Sequence, residues 1–389
     1  MWAARNKRDM ESGAGVRGKV VIAGIGQTAF GGLPGRSTVS LVVEAARRAL
    51  EDAAIDKSLV DALLIKPPTS RPGLMTGQKM AEAMGLKPKF GMAWDQGGGA
   101  IIGCISYAAF LIEAGLCDVA VVAFSDNPKS GGSDAYSAAM GDTATFGYVS
   151  AAASYAMVAR RYMEQFGVTQ RQMGAIPVNA RRNGATNPNA QLKAPLTIDE
   201  YLEKPFLISP FRRDDFALVS DGGAAIVLTS AERARQLGVP DPVPILGFGA
   251  GQESWNVEFR PDLTTTMAST SAAMAYEMAG LGPKDMDTAQ FYDCFSIVPI
   301  ITLEDYGFCK KGHGGAFVGE GAIAREGEIP LNTAGGLLSE TGMPGMQMVL
   351  EGVRQVRGTA ANQVPKVRNT IVSTQGGIMQ THGTLIVGR

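Results

Sequence analysis

Histidine and cysteine are scarce in this chain. Its 389 residues include two histidines and four cysteines, Cys104, Cys117, Cys294 and Cys309. No two cysteines form a CxxC pair, which argues against a zinc site built from this chain alone. So few cysteines in so long a chain also speak against a disulfide scaffold and for reduced thiols. A charge excess of either sign is missing too: 36 Lys and Arg stand against 37 Asp and Glu. That balance leaves no electrostatic footprint for nucleic acid or for an acidic membrane surface. No apolar run reaches the ~20 residues of a membrane span. Residues 1–17 are polar, lack the apolar core of a signal peptide, and read as a disordered leader. The expectation from these absences is a cytoplasmic protein.

What is present is a globular composition, 45% hydrophobic and 19% charged, with length enough for one large domain or two fused ones. Glycine is frequent (49 residues) without a collagen period. It gathers at strand-to-helix junctions, where backbones must approach closely.

Short β-branched runs alternate with helical patterns. KVVIAGIG (19–26), VDALLIKPP (60–68), FGMAWDQ (90–96) and CDVAVVAFSD (117–126) read as strands. Between them, 37–55, 76–86 and 100–116 carry helical spacing, with Ser37 or Thr38 as an N-cap for the first. The second half repeats the order: strands at 242–251, 287–293, 369–377 and 383–389, and helices near 268–280, 294–306 and 344–358. AAIVLTS (224–230) is the strand that closes the first half. Two such passes predict a duplicated unit with sheets covered by helices. Residues 127–219, richer in Gly, Pro, Asn and Arg, read as an inserted cap with a helix at 150–167. The halves then comprise 18–126 with 220–240, and 241–389.

Several motifs in joint order resemble the thiolase superfamily, and within it the sterol-carrier-protein-X thiolases and steroid side-chain aldolases. They are YDCFSIVPIITLEDYGFC (292–309), PLNTAGG (330–336), EGVRQVRG (351–358), NARRNGATNPNAQLKAPLTIDEYL (179–202) and SDGGAAIVLTS (220–230). The resemblance spans residues 18–389. It implies an α/β, duplicated five-layer α-β-α-β-α thiolase fold with a helical and loop insertion. It also implies a CoA thioester as substrate, with no covalently bound cofactor and no metal. A homodimer and a small OB-fold/zinc-ribbon partner protein are further expectations of the resemblance.

The chain departs from a degradative thiolase wherever that enzyme keeps its chemistry. Trp94-Asp95-Gln96-Gly97-Gly98-Gly99 puts glycine in place of the nucleophilic cysteine. Ser339-Glu340-Thr341-Gly342-Met343-Pro344-Gly345 lacks the loop histidine. Gln375 precedes the last glycine pair where an acid/base cysteine is expected, and Tyr292 replaces the histidine of an HDCF motif. The aldolases share the glycine run and the Tyr-Asp pair, and they break a carbon–carbon bond without an acyl-enzyme. A second tyrosine of that branch is replaced by Gly342.

Candidate catalytic residues are therefore Tyr292, Asp293 and His382, the last as a base in place of the missing histidine. Cys294, at the site's edge, and Glu340 with Ser339 are further possibilities. Gly97, Gly98, Gly99, Asn332, Gly335, Gly336, Gly376 and Gly377 are expected to form the pocket and donate to an oxyanion. Arg181 and Arg182 lie where relatives cover CoA. The leading expectation is an aldolase-like carbon–carbon lyase acting on a bulky β-hydroxyacyl-CoA. Alternatives are an acyltransferase using a cysteine elsewhere or on a partner subunit, and a catalytically silent subunit of a hetero-oligomer.

Overall fold

In the computed structural model, residues 15–132, 145, 150–254 and 257–389 are described. All but the last three residues of the expected leader lie outside them. Of those three, Val16 is buried in the core; Gly18, the first residue after them, donates its N–H to the Ile245 carbonyl at 2.8 Å.

The first half runs β1 (Val20–Gln27), α1 (Thr38–Ala53), β2 (Ala62–Lys66), α2 (Thr76–Met84), β3 (Phe90–Ala93), α3 (Ala100–Glu113) and β4 (Val119–Asp126). The inserted segment contributes α4 (Ala151–Phe166), α5 (Gln170–Thr186) and α6 (Ile198–Glu203), and β5 (Gly222–Ser230) completes the half. The second half comprises β6 (Val243–Gln252), α7 (Ala268–Ala279), β7 (Thr288–Gln290), α8 (Ile297–Asp305), α9 (Met346–Arg357), β8 (Asn369–Gly376) and β9 (Thr381–Gly388). Ser37 caps α1 by accepting from the Ser40 N–H, as its position predicts.

The strand order is β3-β2-β4-β5-β1-β6-β9-β8-β7. Read outward from the β1–β6 seam, the two halves repeat one topology. The seam holds only two residue pairs, Val21 with Pro244 and Ile22 with Val243. Two half-sheets are thereby joined edge to edge, a continuity the motifs did not announce. One apolar cluster joins the half-sheets to α3 and α9, a second lies under α1, and a third lies under α4, α7 and α8. The first cluster encloses the central helices between the half-sheets and the other two lie beneath the outer helices, so helix, sheet, helix, sheet and helix stack as the expected five layers.

Glycine rows show the duplication at atomic scale. A Cβ on Gly24 or Gly26 of β1 would run into the Ala49 or Ala45 carbonyl of α1. The same clash would arise between Gly247 or Gly249 of β6 and the Ala275 or Ser271 carbonyl of α7. Absent side chains let each outer helix lie directly on its first strand. The halves differ at their far edges. β3 pairs with β2 over four residues, whereas its counterpart in the second half shrinks to a single bridge between Ala289 and Leu331. There α5 closes the edge: Asn179 and Asn183 donate to the Leu331 carbonyl at 3.1 and 3.2 Å.

Candidate active site

Two central helices begin beside one another. α3 starts directly after Gly97-Gly98-Gly99, and α9 starts after Gly345, whose Cβ, if present, would lie 3.0 Å from the Gly98 carbonyl oxygen. Their positive dipole ends therefore converge on the glycine corner. The Asp95 carboxylate accepts from the Gly97 N–H at 3.0 Å and shapes the turn. The Gly376–Gly377 turn at the end of β8 packs against it backbone to backbone, since a Cβ on Gly376 would collide with the Gln96 carbonyl.

Gly98 admits no side chain. A Cβ there would sit 2.6 Å from Tyr292 Cε2, 2.7 Å from Tyr292 Oη, and closer still to the Gln375 carbonyl oxygen. The tyrosine ring thus occupies the space that a side chain on the corner would need. Tyr292 is half-buried, and its N–H donates to Ser373 Oγ at 3.2 Å. Its hydroxyl has no protein hydrogen-bond partner among the described residues. Burial, with Cys294 and Asp293 nearby, raises its pKa well above the ordinary value, so the resting group is a phenol.

Asp293 follows Tyr292 but lies beneath it, fully buried. One carboxylate oxygen accepts from the Leu337 N–H at 2.7 Å, and the other lies against Gly336. Burial lifts its pKa to about 7, with the Leu337 N–H opposing. Asn332 is spent on the backbone: its side chain accepts from the Phe291 N–H at 2.7 Å and donates to the Phe291 carbonyl at 2.9 Å. Asn332, Gly335 and Gly336 thus build the turn that supports Tyr292 from behind, in place of the oxyanion contact expected of them.

Cys294 borders the corner, but burial pushes its thiol up to about 12. The other three cysteines are likewise raised to about 12 by burial, so a thiolate at neutral pH is disfavoured at all four. Glu340 is buried, accepts from Asn187 Nδ2 at 3.1 Å, and is raised by burial to about 8. Ser339 donates to the Leu192 carbonyl at 2.9 Å. Both belong to the joint between the inserted segment and the second half.

His382 is placed away from the corner, contrary to its expected role. Its neighbour Gly383 faces Ile102 of α3, so strand alternation turns His382 to the opposite side of the sheet. There its Nδ1 lies 3.3 Å from Ser271 Oγ, its ring meets Tyr306 edge-on, and burial lowers its pKa to about 3. A histidine so enclosed is neutral and packed. Arg181 is consumed by the Ala194 carbonyl (2.9 Å) and Asp214 (3.2 Å). Arg182 pairs with Glu326 at 2.7 Å on the surface, at a groove of about 280 Å³ shared with Arg171 and Asn179. Gly342 abuts the Leu218 carbonyl so closely that a side chain there would require the backbone to move. The replaced second tyrosine therefore has no room at that position.

Two site residues escaped sequence reasoning. Tyr155, from inserted helix α4, donates to the Gly377 carbonyl at 2.9 Å and stacks on Phe295 with ring centroids 4.5 Å apart. Gln375 joins Tyr155 to Cys294 through its side-chain nitrogen. No motif marked Tyr155, and Gln375 registered only as a missing cysteine.

Residues 249–389 match the family model described as "Thiolase C-terminal domain-like". A 17-hydroxy-3-oxo-4-pregnene-20-carboxyl-CoA lyase of Mycobacterium tuberculosis is 34% identical over 379 residues, covering 93% of this chain and 97% of the relative. The chain belongs to the thiolase superfamily. A steroid side-chain-cleaving aldolase of Thermomonospora curvata is 33% identical over 93% of this superfamily member and 96% of the relative. Among solved structures, the "Ltp2-ChsH2(DUF35) aldolase" superposes with a TM-score of 0.86 at 32% identity, over 96% of this chain and 98% of the other. These relatives support a thiolase-superfamily carbon–carbon lyase. No helix among the described residues is long and apolar enough to cross a membrane.

Proposed function

We propose that this chain cleaves a bulky β-hydroxyacyl-CoA by a retro-aldol route without a covalent acyl-enzyme. The observation that carries the reading is the Tyr292 ring standing where a side chain on the glycine corner would have to go. Loss of a corner side chain and gain of the tyrosine are one steric exchange. The raised cysteine thiols add a second reason against acyl transfer.

The thioester carbonyl would lie at the convergent starts of α3 and α9, whose N–H groups and dipole ends stabilise negative charge. In the reaction the Cα–Cβ bond breaks, its electron pair enters the thioester as an enolate, and the β-carbon becomes a ketone or aldehyde. Tyr292, being a phenol, delivers its proton to the enolate Cα and takes the proton of the β-hydroxyl. The tyrosine ends as it began, and no external base is required. Asp293 and Asn332 position this residue from below. CoA enters as substrate, with no separate cofactor in the cycle; Arg182 beside the surface groove is the remaining candidate for its phosphates.

A homodimer, a small OB-fold/zinc-ribbon partner subunit and a cytoplasmic location complete the proposal. The partner is supported by the composite name of the solved aldolase neighbour. The test is turnover of 17-hydroxy-3-oxo-4-pregnene-20-carboxyl-CoA by the purified chain, with and without such a partner. Cleavage that survives iodoacetamide supports the lyase. Activity abolished by iodoacetamide would point to a cysteine-dependent transferase, and absence of both binding and turnover to a silent subunit.

A further inference from the structure

Residues 377–380 link β8 to β9, and Gly376 pairs with Thr381 across the hairpin. Three carbonyls of this link are held by partners from other segments. The Gly377 carbonyl accepts from Tyr155 Oη at 2.9 Å, the Ile378 carbonyl from Arg260 Nη1 at 3.0 Å, and the Gln380 carbonyl from the Glu253 N–H at 2.9 Å. Tyr155 and Arg260 are both buried. Gln375 Nε2 donates to Tyr155 Oη at 3.1 Å, which leaves the one phenolic proton for Gly377. Burial raises the Tyr155 pKa well above its ordinary value and keeps that proton in place.

The amide of Gly377 belongs to the glycine corner. Its nitrogen lies 3.5 Å from the point where a Gly97 side chain would begin, and its N–H meets no acceptor among the described residues. Gly377 is half-buried and Gly97 is exposed, so this donor stands on the open side of the corner and not inside the core. A glycine at φ +64° has little conformational preference of its own. Gly376 is fixed on one side by its pairing with Thr381, and the Gly377 carbonyl is fixed on the other by Tyr155. Between those anchors the torsions of Gly377 are set, and with them the direction of its N–H.

We propose that Tyr155 is a positioning residue for carbon–carbon cleavage: by holding the Gly377 carbonyl it keeps the Gly377 N–H aimed at the thioester oxygen on which enolate charge gathers. The assignment rests on the lyase reading above and adds to it a contribution from the inserted segment. Tyr155 does not touch the substrate. It belongs to the apolar cluster on the opposite face of the sheet from α3 and α9, and it acts through the backbone of one glycine. A donor aimed beforehand at the developing charge has no reorganisation left to undergo. The ground-state thioester oxygen carries little charge, so a misaligned donor costs rate and leaves binding nearly as it was.

The experiment compares kcat and KM of the unsubstituted chain, Tyr155→Phe and Tyr162→Phe on 17-hydroxy-3-oxo-4-pregnene-20-carboxyl-CoA. Phenylalanine at 155 keeps the stack on Phe295 and deletes only the hydroxyl. Tyr162, on the same helix, spends its hydroxyl on Glu304, so its variant controls for the loss of a buried hydroxyl from α4. Tyr155→Phe is expected to lower kcat about 10- to 100-fold at unchanged KM, less than deletion of an oxyanion donor because the donor is loosened and not removed. Tyr162→Phe should keep kcat. An unchanged kcat in Tyr155→Phe, an equal loss in Tyr162→Phe, or a loss carried by KM in place of kcat overturns the assignment and leaves the lyase reading standing. Absence of cleavage by the unsubstituted chain overturns the lyase reading, and the assignment falls with it.

Discussion

The two central helices occupy equivalent places in the duplicated fold and carry opposite chemistry. α3, behind the glycine corner, is apolar throughout its buried face, from Ala100 to Ile112. α9, its counterpart, buries Gln347, Glu351 and Gln355, with Glu340 just ahead of it. Glu351 accepts from Thr333 Oγ1 at 2.5 Å, and Gln355 donates to Thr333 Oγ1 at 2.9 Å and to the Asn362 carbonyl at 2.9 Å. The first half supplies shape and helix dipole to the site, and its one carboxylate there, Asp95, is spent on the Gly97 N–H of the turn. The second half supplies Tyr292, Cys294 and Gln375, and spends buried polar groups on holding them. Duplication thus gave two similar frames, and only the second carries a buried polar network, closed by Thr333 and Asn362 and, through Glu340, by Asn187 of the insertion.

The sharpest way to break that comparison is Tyr292→Phe. Lyase turnover should fall about 10²- to 10⁴-fold, the usual worth of a positioned proton-transfer group. The melting temperature should barely move, because the hydroxyl has no protein partner to lose. Full activity in this variant would remove the second half's chemical role.

Glu340→Gln tests the buried polar support. The folded-state pKa of Glu340 is raised by burial from 4.5 to about 8. Its contribution to stability is fully present below pH 4.5 and is lost as the pH rises through about 8. The wild-type protein should therefore lose stability across that window. The glutamine variant should flatten the dependence, by an amount on the order of a few kcal/mol. Urea unfolding at pH 5 and pH 8 reads the difference, and parallel pH profiles for the two proteins would contradict it.

Gly98→Ala tests the first half. The new methyl meets the Tyr292 ring and the Gln375 carbonyl, so a destabilisation of about 1–3 kcal/mol is expected, together with loss of turnover. An alanine tolerated with full activity would show that the corner is looser than its geometry. The smallest effect should come from Arg182→Ala. Its exposed pair with Glu326 is screened by solvent, so stability should hold. A rise in KM for the CoA thioester without a fall in kcat would mark the groove beside it as the CoA path.

Much of the frame was legible before the structure. Strand-to-helix alternation placed β1 to β4 and β6 to β9 within a few residues, because buried strands need continuous apolar runs and helices need their spacing. The shortened third strand of the second half was not legible, since one bridge at Leu331 leaves no run to read. At the site, Tyr292 and the glycine corner stood out from motif order, and they do meet. His382 did not follow: its nearness in sequence to Gly377 says nothing about the face to which a strand turns each residue. Tyr155 was invisible for a related reason, since it reaches Gly377 from 222 positions away.

The amino-acid sequence by itself determined the duplicated α/β layering, the insertion and the absence of a cysteine from the glycine corner. These follow from local periodicity and residue identity, which need no partner to be expressed. Only the tertiary structure decided that Tyr292 fills the space above Gly98, that Asn332 and Asp293 serve the backbone, and that His382 faces away. Those outcomes depend on which distant segments share a boundary, and on the cost of leaving a buried polar group unpaired once they do.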